Sequence, residues 1–97
     1  MRHFFRTQLT QGDVLRHADS FFAGIKMDRE GHTAKSRTYT GILGTLDLSV
    51  KAEGGHYTFV EIATDQMGES RLDRNAKKFF VELHRAAEPA HRIEAAY

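Results

Sequence analysis

The sequence predicts an α+β domain: a four-stranded antiparallel sheet, in the chain order β-α-β-β-β-α, with both helices on one face. Three observations lead there. Segments at the start and in the middle of the chain alternate apolar and polar residues with period two, the signature of half-buried strands. Two other segments repeat apolar residues every three to four positions behind a hydroxyl residue that can cap a helix. The 97 residues contain no repeat, low-complexity tract or Gly/Ser linker, and a chain of that size builds one core.

The first strand is Arg2 to Leu9, where His3, Phe5, Thr7 and Leu9 alternate with Arg2, Phe4, Arg6 and Gln8. Thr10 then serves as an N-cap with Asp13 three residues on, a carboxylate version of the capping box. Val14, Ala18, Phe21, Phe22 and Ile25 follow at helical spacing with Leu15 on the flank, while Arg16, Asp19 and Ser20 face away; Gly24 is the expected left-handed terminator. Asp28-Arg29-Glu30-Gly31 reads as a polar turn, and His32 to Thr40 as a strand. Leu46, Leu48, Val50 and Ala52 alternate with Thr45, Asp47, Ser49 and Lys51 in the clearest strand of the chain. Glu53-Gly54-Gly55 is a hairpin turn, and His56 to Thr64 returns as the last strand. Ser70 with Asp73 caps a second helix, residues 71 to about 87, whose apolar stripe is Leu72, Ala76, Phe79, Phe80 and Leu83. Pro89 ends it, and residues 90–97 form a short extra turn carrying Ile93 and Tyr97, or fray.

Composition narrows the function. The absence of cysteine removes disulfides, thiolate metal sites and thiol nucleophiles. No eighteen-residue apolar run occurs, and the start lacks the apolar segment of a secretion signal, so the expected location is the cytoplasm. A formal net charge of +1 argues against a strong nucleic-acid binder, because phosphate neutralisation supplies most of such affinity.

From Gly44-Thr45 through the Glu53-Gly54-Gly55 hairpin to the helix Ser70-Arg71-Leu72-Asp73…Phe79-Phe80…Leu83, the second half resembles the end of a helix-grip protein of the START and Bet v 1-like (polyketide cyclase-like) group. The resemblance implies a curved antiparallel sheet closed by a long C-terminal helix. It further implies non-covalent binding of an apolar small molecule, or a cyclase or hydrolase activity built into a cavity. The group shares no catalytic residue that could be carried over. At 97 residues a one-chain cavity lacks the strands to close it, so a large ligand site is expected to be a groove or to be shared between subunits.

The hairpin register decides the surface chemistry. A two-residue turn pairs Val50 with Phe59 and Leu48 with Glu61; Glu61 then sits among apolar side chains with a raised pKa, as a general acid or base requires. A three-residue turn reverses the parity of the last strand. Val60 and Ile62 then enter the core, while Tyr57, Phe59 and Glu61 line the opposite face. The second register is favoured because it buries no charge. It leaves Tyr57 and Phe59 outward beside Phe4 or Tyr39, and these four are the expected partner- or ligand-contacting residues. An uncovered aromatic patch marks an interface or a groove, and a two-fold homodimer is the commonest way to cover one.

On the second helix Arg74, Lys77, Lys78 and Arg85, with Val81 among them, lie opposite the apolar stripe and could contact phosphates. The six histidines show no metal-ligand spacing and read as surface or turn residues. The serines sit in no nucleophile elbow and the glycines in no phosphate loop. No metal or cofactor is implied. The function expected from the sequence is thus a small homodimeric binding domain with an apolar ligand in a groove. The alternatives are a cyclase- or hydrolase-like enzyme using Glu61, and a weak nucleic-acid or ribosome-associated protein using the basic helix.

Overall fold

The computed structural model describes residues 1–87; Pro89 and the turn expected at 90–97 lie outside them. The order is β1 (Arg2–Thr7), α1 (Gln11–Gly24), β2 (Asp28–Thr33), β3 (Ser36–Gly41), β4 (Gly44–Glu53), β5 (Tyr57–Thr64) and α2 (Arg71–Ala87). The class is α+β as expected, but the antiparallel sheet has five strands, in the order β1-β5-β4-β3-β2. The additional strand is β2, which contains the supposed polar turn. Asp28 pairs with Thr40 and Thr33 with Ser36, with a bulge between Arg29 and Gly31. An edge strand of charged residues buries little on either side, so it carries no apolar periodicity to read.

The β4–β5 register is that of the three-residue turn. Val50 faces Val60, Leu48 faces Ile62 and Ser49 faces Glu61. Gly54 and Gly55 take φ of 66° and 78°, angles that L-residues with a side chain resist. β1 adds to β5 with Phe4 opposite Glu61 and Phe5 opposite Val60.

One sheet face therefore presents Tyr39, Leu46, Leu48, Val50, Val60 and Ile62 to Val14, Leu15, Ala18 and Phe22 of α1 and to Leu72, Ala76, Phe79 and Leu83 of α2, all buried. Phe22 is the hub. Its ring stacks on Tyr39 at 4.8 Å and meets Phe79 at 5.3 Å between centroids. Aromatic side chains from both helices thus pack between α2 and the sheet.

Both predicted N-caps are present. Thr10 Oγ1 accepts the amide of Asp13 at 3.1 Å, and Ser70 Oγ that of Asp73 at 3.0 Å. The end of α1 differs from expectation, because Gly24 is still helical and the left-handed residue is Lys26, at φ 63°. The amides of Lys26 and Met27 donate to the carbonyls of Ala23 and Phe22, which is a Schellman closure built on a lysine.

Candidate functional site

Among the described residues no helix lies on the sheet face away from α1 and α2, and strand parity decides what stands on it. β1 contributes Arg2, Phe4 and Arg6; β5 contributes Tyr57, Phe59 and Glu61; β4 contributes Asp47, Ser49, Lys51 and Glu53. Phe4 and Phe59 stack at 5.6 Å and 26° between ring planes. The Arg6 guanidinium and the Lys51 ammonium lie 5.2 and 5.4 Å from the Phe59 centroid, within cation–π range. Phe4 remains 54% exposed and Tyr57 46%. Carboxylates complete the ring of charge: Glu61 accepts from Arg2 Nη1 at 2.7 Å, and Glu53 pairs with Arg6. On β1, β5 and β4 the face thus holds an aromatic centre with three cations and three carboxylates around it; Asp28 stands on the same face at the far edge.

Of the expected contact residues, Phe4, Tyr57 and Phe59 stand on this face. Tyr39 does not. It points to the helix side, is 1% exposed, and its hydroxyl donates to Asp19 Oδ1 at 2.7 Å. Burial above all, and then the hydrogen bond to Asp19, push its phenol pKa far above the ordinary value. Nor does Asp19 face away from the sheet. It also accepts from Arg37 Nε and Arg29 Nη1, each at 3.1 Å, and so ties β2 and β3 to α1. An isolated Tyr in a threonine-rich strand carries no sign of its facing, so the inward direction of Tyr39 is not legible in the sequence.

Glu61 lies against a guanidinium on the open face, not among leucines. The desolvated setting that a general acid would need belongs to the other register.

His3 is also not a surface residue. Its side chain is 11% exposed, and Nε2 donates to Asp73 Oδ1 at 2.8 Å. Asp73, 1% exposed, accepts as well from Thr64 Oγ1 at 2.9 Å and Ser70 Oγ at 2.6 Å. Burial alone would raise the Asp73 pKa, but the hydrogen bonds from Ser70, His3 and Thr64, together with the His3 charge, bring it below the ordinary value. The cluster fastens the start of α2 to β1 and β5.

The basic residues of α2 divide. Lys77 pairs with Glu69 at 2.9 Å and Arg85 with Glu82 at 3.7 Å, whereas Arg74 and Lys78 line a groove with Lys26 and Arg71. Sequence reading missed the last two. Arg71 opens α2 at helical spacing from Arg74 and Lys78, so the signal for it was present in the sequence; Lys26 sits in a turn, where helical periodicity has no reach.

Among the described residues no group of His, Asp and Glu is arranged to hold a metal ion, and no helix is long and apolar enough to cross a membrane. No family model and no curated protein matches the chain.

Proposed function

We propose that this chain is a small homodimeric binding domain whose copies meet through the open sheet face. The observation that carries the reading is the Phe4–Phe59 stack, with Phe4 exposed and Phe59 half-buried, set among charges of both signs. Aromatic and arginine residues at the centre of a patch are what protein interfaces enrich. Arg2, Arg6 and Lys51 are matched in number by Asp47, Glu53 and Glu61, so a two-fold copy can set carboxylates against cations while the rings meet. A nucleic acid would be drawn by a net positive face, and this one carries no positive excess.

Strand spacing gives a face of roughly 600 Å². That is below the standard interface share of about 800 Å² per partner, and it fits a dimer that dissociates at micromolar concentrations. Sedimentation over a concentration series tests the proposal. Wild type is expected to dimerise, and Phe4→Ala with Phe59→Ala to raise the dissociation constant by at least roughly 30-fold, the scale of losing a single central aromatic anchor of about 2 kcal/mol. A wild-type monomer at high micromolar concentration would overturn it. Submicromolar binding of single-stranded oligonucleotide at physiological salt would assign the face to stacking bases instead.

A further inference from the structure

We infer that the groove between the C-terminal end of α1, the β3–β4 turn and the first half of α2 binds a small amphiphile with a phosphate head group. It lies at the end of the sheet, apart from the open face and from the packed space between α2 and the strands. Its volume is about 650 Å³, within the range of small-molecule sites.

Two kinds of lining meet there. Lys26, Arg71, Arg74 and Lys78 supply positive charge from two elements, while Ile25, Ile42 and Leu43 supply an apolar wall. Arg71, Arg74 and Lys78 follow a spacing of three and four, which puts them on one side of α2. None of the four cations has a carboxylate partner within ion-pairing distance among the described residues, whereas the adjacent Lys77 and Arg85 each have one. Such a concentration of unmatched cations in a concave site calls for an anion of more than one charge. A phosphate monoester carries about −1.5 to −2 at neutral pH with three acceptor oxygens, and guanidinium forks suit it. The apolar wall calls for the rest of the ligand to be a chain or ring. Ile42, at the tip of the β3–β4 turn, is fully exposed, and an alkyl chain laid across it and Leu43 would remove that surface from water.

Calorimetric titration of the full chain with decyl phosphate, kept below its micelle-forming concentration at physiological salt, is the test. Saturable one-to-one binding is expected, at least tenfold tighter than for inorganic phosphate, which lacks the chain. Arg74→Glu and Lys78→Glu should each weaken it about tenfold or more, the scale of a lost charge-assisted contact. Ile42→Ser should weaken it about fivefold. Lys77→Glu makes the same charge change outside the groove and should have little effect, as should Phe4→Ala with Phe59→Ala. All these side chains except Phe59 are exposed, and melting curves confirm that each variant folds. The inference falls if inorganic phosphate or octyl glucoside binds as well as decyl phosphate. It falls equally if Lys77→Glu is as damaging as Lys78→Glu, or if binding occurs only to phosphatidylglycerol vesicles and never to the monomeric amphiphile.

Discussion

Lys26 holds the left-handed position that ends α1, where a Cβ costs about 1–2 kcal/mol and glycine would avoid the penalty. Lys26→Gly is therefore expected to stabilise the chain by about 0.5–1 kcal/mol, the gain being reduced by the greater freedom of glycine in the unfolded chain. Because Lys26 also lines the groove, the same substitution should weaken decyl phosphate binding. Denaturant melts and titration together separate the two effects. Asp73 is the other residue with a role out of proportion to its size. It is buried and takes hydrogen bonds from His3, Thr64 and Ser70. Its folded-state pKa lies below the ordinary value, so the stabilisation it contributes is complete above the unfolded value of about 3.9 and is lost as pH falls through the folded one. Asp73→Asn should cost about 1–3 kcal/mol at neutral pH and flatten the decline of stability below about pH 4. A decline as steep in the variant as in wild type would assign it to other carboxylates.

At the level of elements, α2 is attached by its apolar stripe. Phe79 and Leu83 are fully buried, and Phe79 packs against Phe22 and Phe21 of α1 at 5.3 and 5.5 Å. Phe79→Ala should cost about 3–5 kcal/mol and Leu83→Ala about 2–5, through lost burial and the cavity left behind. Lys78→Ala, on the exposed groove side, should stay within about 0.5 kcal/mol. Comparable small losses at all three positions in urea melts would show that α2 is not the element closing the core. The β2–β3 hairpin is held differently. Its strands offer few apolar side chains, and Asp19 replaces them with a carboxylate shared by Tyr39, Arg37 and Arg29.

For the whole molecule, the decisive asymmetry is that both helices cover one face of the sheet. The chain can bury Tyr39, Leu46, Leu48, Val50, Val60 and Ile62 by itself, and among the described residues no layer lies above Phe4, Phe59 and Tyr57. If the open face is the dimer surface, Phe4→Ala with Phe59→Ala should shift assembly while leaving the monomer's circular dichroism spectrum native. Raising salt from about 0.05 to 0.5 M should weaken the dimer, since the rim charges are exposed and screened. Unfolding of the double variant would mean that the Phe4–Phe59 stack contributes to the fold itself.

Much of this architecture follows from local patterns. Period two in Leu46-Asp47-Leu48-Ser49-Val50-Lys51 yields a half-buried strand, hydroxyl residues three positions before Asp13 and Asp73 yield two helix starts, and the need to avoid burying Glu61 selects the three-residue hairpin. These are choices that neighbouring residues make among themselves, through backbone geometry and the cost of desolvating a charge. Other features arise from partners far apart in the chain. β2 exists because β3 supplies its hydrogen bonds, not because its own residues favour a strand. Tyr39 is core because Phe22 and Asp19, about twenty residues earlier, receive its ring and hydroxyl. His3 is buried because Asp73, 70 residues later, accepts its hydrogen bond. The groove joins Lys26 and Ile42 to Arg71, Arg74 and Lys78. No periodicity relates Lys26 and Ile42 to the three α2 positions, because their proximity is created only when the end of α1, the β3–β4 turn and α2 pack at the same end of the sheet.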